Sequence, residues 1–141
     1  MIVVDVGCAN HGVDSIGPLI ERFQPDVLYG FDPNVDDASY EQGETLVELS
    51  SEAAWVHGGS VLFRSDRSAS QVDQDGDEVA CFNFAVWLKD LLEKDEVVVK
   101  LDCEGAEFAL IAAMRHHRLL ERLKLLLVEW HFPCHVETWD L

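Results

Sequence analysis

Short apolar runs recur along this chain and alternate with segments of helical periodicity. The runs cover residues 2–6, 27–31, 45–49, 97–101 and 125–130. Strands that are buried on both faces have such nearly continuous apolar sequences. Strands that alternate with helices form parallel sheets that helices cover on both sides. The sequence therefore predicts an α/β fold, a three-layer sandwich around a mostly parallel sheet.

Helical periodicity is clear in three segments between these runs. Apolar residues at helical spacing predict helices over residues 16–23, 84–92 and 106–117. Ser15 and Asn83 precede the first two helices, and their side chains are typical N-caps. The predicted helices therefore begin where the sequence offers a partner for their first backbone N–H groups.

The middle of the chain gives weaker signals. A short acidic helix is expected after Asn34. Residues 53–56 and 61–64 flank the turn-forming segment 57–60 (His-Gly-Gly-Ser), which predicts a β-hairpin. The polar segment 65–78 predicts a loop.

Size and charge limit the function. The 141 residues suffice for one domain with a hydrophobic core, so we expect a single domain over residues 1–141. The net charge of −17 argues against DNA or RNA as a ligand, because phosphate-backbone binding requires clustered Lys and Arg.

The apolar runs are too short to cross a membrane, and no secretory signal is recognisable at the start. The four cysteines form no CxxC pair, so we expect a reducing, cytoplasmic setting.

Charged residues interrupt and follow the run at residues 97–101. Lys100 lies two residues before Asp102, on the same face of the predicted strand, and Glu104 follows in the turn. A lysine in a buried strand requires a partner, because an unpaired buried charge is very costly. Carboxylates between a strand and a helix N-terminus often form a site in open α/β sheets. These acids are therefore candidate functional groups, unless they only neutralise Lys100 and cap the helix.

A second candidate site lies where the first two predicted strands end. Gly7 and Gly12 fall in the turn after the first strand, where glycine lets the backbone approach a ligand closely. Asp32 ends the second strand and is placed to accept hydrogen bonds from the hydroxyls of a ribose. The turn and the acid together predict a cofactor crevice.

Five stretches of the chain carry a family resemblance. They are Val-Asp-Val-Gly-Cys-Ala-Asn-His-Gly from Val4, Tyr-Gly-Phe-Asp-Pro-Asn from Tyr29, Glu-Ala-Ala-Trp from Glu52, Val-Lys-Leu-Asp-Cys-Glu-Gly-Ala-Glu-Phe from Val99 and Leu-Val-Glu-Trp-His from Leu127. In this order they resemble the FkbM-type S-adenosylmethionine-dependent methyltransferases. The resemblance covers residues 2–131 and implies a class I, Rossmann-like fold with sheet order 3-2-1-4-5. The usual final strand pair of that fold is expected to be missing.

The resemblance also implies the site residues. The cofactor S-adenosylmethionine would contact Asp5, Gly7, Asn10, Gly12, Asp32, Glu52 and Ala53. The glycine turn would hold its methionine moiety with Asp5 near the ammonium group, and Asp32 would bind the ribose. The candidate catalytic residues are Asp102, Glu104 and His131, which would orient or deprotonate an acceptor hydroxyl.

We therefore expect O-methylation of a hydroxyl group on a small molecule or glycan, with no nucleic acid or membrane as partner. Two other interpretations stay open. One is a truncated cofactor-binding domain without catalysis. The other is a nicotinamide-dinucleotide Rossmann protein, although the turn after the first strand lacks Gly-x-Gly-x-x-Gly.

Two further expectations concern metals and oligomeric state. Metal-ligating side chains occur at Cys8, His11, His131, Cys134 and His135. Their spacing is irregular, so no metal is assigned. The last apolar run, residues 125–130, would form an exposed sheet edge. We therefore expect either the following residues to fold over that edge or a homodimer to form through it.

Overall fold

The computed structural model describes residues 1–9, 15–65, 70–72 and 76–131. The strands are β1 (Ile2–Val6), β2 (Val27–Phe31), β3 (Ala38–Gln42), β4 (Thr45–Ser50), β5 (Ala53–Trp55), β6 (Gly59–Ser65), β7 (Ser70–Val72), β8 (Asp77–Asn83), β9 (Val97–Leu101) and β10 (Leu125–Val128). The α-helices are α1 (Ile16–Phe23), α2 (Phe84–Leu92) and α3 (Ala106–His116), and a short 3₁₀-helix, Leu120–Arg122, precedes β10. Asn10, Gly12 and the segment after His131 lie outside the described residues.

The larger sheet has six strands in the order β10-β9-β1-β2-β4-β3. Five of them are parallel, and β3 pairs with β4 in the antiparallel direction. The sheet is therefore mixed, and its order differs from the predicted 3-2-1-4-5 because β3 is added at one edge.

The added strand replaces the acidic helix that the sequence predicts after Asn34. Gln42 pairs with Thr45 across a two-residue turn, and Gly43 at its first position has a positive φ of 62°. Glycine at that position is typical of tight hairpin turns. The helix prediction was wrong because the turn at Gly43 reverses the chain, so that residues 38–42 pair with β4.

A smaller sheet has the order β5-β8-β6-β7. Strand β5 pairs with β8 in the parallel direction, and β6 pairs with β8 in the antiparallel direction. The predicted hairpin between residues 53–56 and 61–64 is therefore wrong, since β8 lies between the two strands. Part of the predicted loop 65–78 is also strand, as β7 and the start of β8 fall within it. These pairings join residues that are distant in sequence, which a local turn signal does not specify.

The helices follow the periodicity of the sequence closely. Asn83 caps α2 as predicted, because its side chain accepts a hydrogen bond from the backbone N–H of Val86 at 3.2 Å. Ser15 precedes α1 but makes no cap hydrogen bond, and its hydroxyl donates instead to the carboxylate of Asp5. The prediction for Ser15 was wrong because its backbone is helical (φ −88°, ψ −12°) rather than extended as in a typical N-cap, and its side chain is directed to the buried Asp5 instead.

Helices cover both faces of the larger sheet. On one face, Val4, Val99 and Leu101 belong to a core cluster with side chains of α2 and α3. On the other face, Val3 and Val98 pack in a second cluster with side chains of α1. Because the central strands are covered on both sides, they are apolar at almost every position. No helix in the described part of the chain has the length and hydropathy that a membrane span requires.

Candidate functional site

A cleft lies at the carboxyl ends of β1 and β2, beside the start of α3. The empty space between its walls is about 410 Å³ when space open to solvent is included. The cleft is lined by residues that include Gly7, Asp32, Ala53, Phe63, Cys103 and Ala106. In open α/β sheets, ligands bind at this end of the strands.

The predicted cofactor residues are placed differently with respect to this cleft. Gly7, Asp32 and Ala53 line it. Glu52 is exposed and Asp5 is fully buried, and neither belongs to the lining residues. The structure thus brings together three of the five described members of the predicted set.

Gly7 holds the ends of three strands together. Its backbone N–H donates to the carbonyl of Phe31 at 2.8 Å, and the backbone N–H of Asp102 donates to the carbonyl of Val6 at 2.9 Å. Gly7 has a φ of 83°, and a Cβ at this position would overlap the carbonyl group of Asp102. The glycine is therefore required for close backbone packing as well as for the shape of the cleft.

Asp32 is a buried acid with fixed geometry. Its carboxylate accepts hydrogen bonds from the backbone N–H groups of Ala9 at 3.1 Å and Asn34 at 2.9 Å. These bonds fix the turn after β1 relative to the end of β2. An ionised carboxylate has about four acceptor positions, so Asp32 keeps capacity for the hydroxyl groups of a ligand.

Lys100 has the buried partner that the sequence required. Its Nζ lies 3.1 Å from Oδ1 of Asp5 and 3.7 Å from Oδ2 of Asp102. The other oxygen of Asp5 accepts from Ser15. Burial raises the pKa of the Asp5 carboxyl, although the Lys100 ammonium and the Ser15 hydroxyl act in the opposite direction. Asp5 is therefore a structural anchor for Lys100 below the cleft.

The three predicted catalytic residues form one cluster. Nε2 of His131 lies 3.3 Å from Oε1 of Glu104 and 3.4 Å from Oδ1 of Asp102. The exposed fractions of the three side chains are between 9% and 19%, and Nε2 of His131 itself is buried, so the cluster is largely shielded from solvent. None of the three is among the lining residues of the cleft, but Cys103, which lines it, contacts Glu107, and Glu107 contacts His131.

Glu107 positions His131 from below. It is fully buried, and its Oε1 accepts from the backbone N–H of His131 at 2.8 Å and lies 3.1 Å from Nδ1 of the same residue. Its Oε2 accepts from the backbone N–H of Gly105 at 2.9 Å and from the Cys103 thiol at 3.5 Å. Sequence reasoning did not assign this role. The available signal was an acid in the first turn of a predicted buried helix.

The turn that carries Glu104 has an unusual backbone. Glu104 and Gly105 both have positive φ values, 50° and 99°. This conformation is uncommon for a residue with a Cβ, and such strain is concentrated at functional sites. Here it places the Glu104 carboxylate against His131.

The thiols near the site are poor nucleophiles. Burial and the Glu107 carboxylate raise the pKa of the Cys103 thiol well above its ordinary value. Burial and the nearby acids Asp5 and Asp32 likewise raise the pKa of the Cys8 thiol. The thiolate is the reactive form of cysteine. The candidate reactive groups of the site are therefore the carboxylates of Asp102 and Glu104 and the imidazole of His131.

Comparison of the chain with models of protein families, with curated proteins and with solved structures gave no match. The residues of the cleft and of the carboxylate–histidine cluster are therefore the basis for a functional proposal.

Proposed function

We propose that this protein is an S-adenosylmethionine-dependent methyltransferase with a Rossmann-like fold, which methylates a hydroxyl group of a small molecule or glycan. One observation carries the proposal. A cleft at the carboxyl ends of parallel strands is bordered by the Gly7 turn and by Asp32, and the Asp102–Glu104–His131 cluster lies next to it. The proposed cofactor and acceptor positions would then be adjacent.

The cofactor fits the chemistry of the cleft. Asp32 would accept hydrogen bonds from the ribose hydroxyls, and Ala53 would contact the adenine. The turn after β1, with Asn10 and Gly12, would hold the methionine moiety. S-adenosylmethionine carries a sulfonium cation, and the acids around the cleft favour a cation over an anionic cofactor.

The cluster suits activation of an acceptor hydroxyl. An ionised Glu107 only accepts hydrogen bonds, so the Nδ1 proton of His131 is donated to it and Nε2 faces Asp102 and Glu104. A neutral His131 would accept the hydroxyl proton at Nε2. S-adenosylmethionine would supply the methyl group to that oxygen and would leave as a neutral sulfide, while His131 holds the hydroxyl proton. Asp102 and Glu104 would stabilise the resulting imidazolium.

Cofactor binding is tested by calorimetry with S-adenosylmethionine and its demethylated product. Asp32→Ala is expected to weaken binding by about 1–3 kcal/mol, the scale of lost hydrogen bonds to a charged group. Asp37→Ala is a matched control, because Asp37 also accepts a backbone N–H, from Ser51 at 2.7 Å, but is not among the lining residues of the cleft. Unchanged affinity in a folded Asp32→Ala protein would remove Asp32 from the site.

Wild-type protein that binds neither compound would overturn the cofactor assignment. A parallel titration with NAD tests the alternative of a dinucleotide-binding protein.

Methyl transfer is tested with labelled S-adenosylmethionine and a panel of hydroxyl acceptors. Glu104→Gln and His131→Ala are expected to lower the rate about 100-fold with cofactor binding retained, which is typical of positioned acid–base groups. Asp90→Asn removes one exposed acid on α2 and serves as the control. Cofactor binding by a wild-type protein that methylates no acceptor would favour a binding domain without catalysis.

A further inference from the structure

We propose that Asp102, Glu104 and His131 bind one divalent transition-metal ion of the Mn²⁺ or Zn²⁺ type. One atom from each side chain can be chosen so that all three atoms lie within 4.8 Å of one another. The three residues come from the end of β9, the following turn and the segment after β10. Of the metal-ligating side chains noted in the sequence, His131 belongs to this cluster, whereas Asp102 and Glu104 are predicted there only as catalytic groups.

The distances in this cluster match those between neighbouring ligands of a metal ion. Nε2 of His131 lies 3.3 Å from the Glu104 oxygen and 3.4 Å from the Asp102 oxygen. Two ligand atoms that are each about 2.1 Å from a metal, at an angle of roughly 90–110°, are about 3.0–3.4 Å apart. The three residues each offer a ligand atom within 4.8 Å of the others, so side-chain movements that bring all three separations to about 3.0–3.4 Å would complete the site.

The contact between His131 and Glu107 is typical of a metal-ligating histidine. Such a histidine usually donates its other ring N–H to a carboxylate or carbonyl, which fixes the ring and its tautomer. In this protein Nδ1 of His131 lies 3.1 Å from Oε1 of the fully buried Glu107. The lone pair of a neutral His131 is then on Nε2 and points toward two carboxylates. A cation bound between Nε2 and the two carboxylates would be attracted by all three groups.

The local charge also favours a cation. Four carboxylates, those of Asp5, Asp102, Glu104 and Glu107, are buried or nearly so, and Lys100 is the cation that contacts two of them. The carboxylate of Glu129 adds to the excess, with Oε1 4.0 Å from Nε2 of His131. A divalent ion would compensate this excess at the point where three of the side chains converge.

The donor atoms indicate the kind of metal. Imidazole nitrogen suits Zn²⁺ and other transition metals, carboxylate oxygen suits Mg²⁺, Ca²⁺ and Mn²⁺, and Ca²⁺ takes oxygen ligands. One nitrogen and two oxygens therefore favour Mn²⁺ or Zn²⁺ over Ca²⁺. Three protein ligands leave at least one position open for water or substrate, as in catalytic metal sites.

The metal site involves the same side chains as the proposed function but does not depend on it. With an ion bound, Nε2 of His131 is a ligand and is not available as the base. The ion would then lower the pKa of a coordinated hydroxyl in its place. Metal binding is measured without S-adenosylmethionine or an acceptor, so a failure of one proposal does not decide the other.

The experiment is calorimetry on protein freed of metal by a chelator, titrated separately with Mn²⁺, Zn²⁺ and Ca²⁺. We expect one Mn²⁺ or Zn²⁺ per chain and weaker binding of Ca²⁺. Asp102→Asn, Glu104→Gln and His131→Gln should each lower the affinity at least about 10-fold. Asp90→Asn, which removes an equal charge from the exposed face of α2, should retain it.

Thermal unfolding provides a second measurement for variants that fold less well. The melting temperature of the wild-type protein should rise with added metal, and those of the three ligand variants should not. Absence of binding to the wild-type protein would overturn the proposal. Binding that persists in all three variants would place the ion elsewhere and also overturn it.

Discussion

The backbone at Glu104 is strained in order to place its side chain. With a φ of 50°, this residue adopts a left-handed conformation that costs a non-glycine residue roughly 1–2 kcal/mol. The carboxylate is thereby held 3.3 Å from Nε2 of His131. A glycine would fit the turn better but would contribute nothing to the cluster. We therefore interpret Glu104 as a residue whose strained backbone lowers the stability of the fold but places a carboxylate in the site.

This interpretation predicts a difference between two substitutions at Glu104. Glu104→Gly and Glu104→Ala both remove the carboxylate, but only glycine removes the backbone strain. We expect Glu104→Gly to be more stable than Glu104→Ala by about 1 kcal/mol in urea unfolding. Equal stability of the two variants would show that the turn is not strained at this residue.

The buried Asp5 predicts a pH dependence of stability. Burial raises the pKa of its carboxyl above the ordinary value of 3.8, so the native state binds this proton more tightly than the unfolded chain does. The contribution of Asp5 to the free energy of unfolding should therefore fall as the pH rises from 3.8 through the raised pKa, and then stay constant. Asp5→Asn lacks this titration.

The stability difference between the wild-type protein and Asp5→Asn is thus expected to decrease with rising pH in that window. Urea unfolding at a series of pH values measures it. A difference that increases with pH would mean that Lys100 and Ser15 outweigh burial and lower the pKa of Asp5.

At the scale of elements, the site depends on the short distance between the carboxyl ends of strands β1 and β9. Their final residues pair as Val6 with Leu101, and the Gly7 turn then packs against the backbone of Asp102. This contact fixes the distance between the cofactor side of the cleft and the start of the acidic turn. The two parts of the site are therefore mechanically linked through backbone atoms.

Gly7→Ala tests this contact against Gly43→Ala. Both glycines have positive φ, but a Cβ at Gly43 would meet no atom within 4 Å. Gly43→Ala should cost about 1 kcal/mol of stability from backbone strain alone. Gly7→Ala should cost at least about 2 kcal/mol more, because two backbones must separate. Urea unfolding measures both, and equal costs would show that the close contact at Gly7 is unimportant.

At the scale of the whole molecule, β10 is an edge strand among the described residues of the larger sheet. Its four residues, Leu125–Val128, are all partly buried. An apolar edge strand invites pairing with another chain unless it is covered. The residues expected to cover it, 132–141, lie outside the described part of the chain.

We expect either a two-fold homodimer through β10 or a monomer in which the C-terminal residues cover this edge. Size-exclusion chromatography with light scattering distinguishes the two, with the full chain and a version ending at Pro133 compared. The dimer predicts twice the monomer mass, and the covered monomer predicts a clear loss of stability on truncation. A full-length monomer with unchanged stability after truncation would contradict both.

The sequence by itself determined the features that depend on neighbouring residues. The nearly continuous apolar sequences of β1, β2 and β9 indicate strands that are buried on both faces. The cap residue Asn83 indicates where α2 begins. The sequence also predicted that Lys100 has a buried partner, because a lone charge there would be too costly. These inferences need only local spacing and the energetics of a single side chain.

Only the tertiary structure decided which distant segments meet. The positions of β3 and β8, the partner of the Ser15 hydroxyl and the support of His131 by Glu107 all depend on contacts between residues separated in sequence. A local pattern shows that a segment is extended or polar, but it does not specify the partner. That choice is made by the combined packing and hydrogen bonding of the whole fold, because each buried polar group must find a partner somewhere in it.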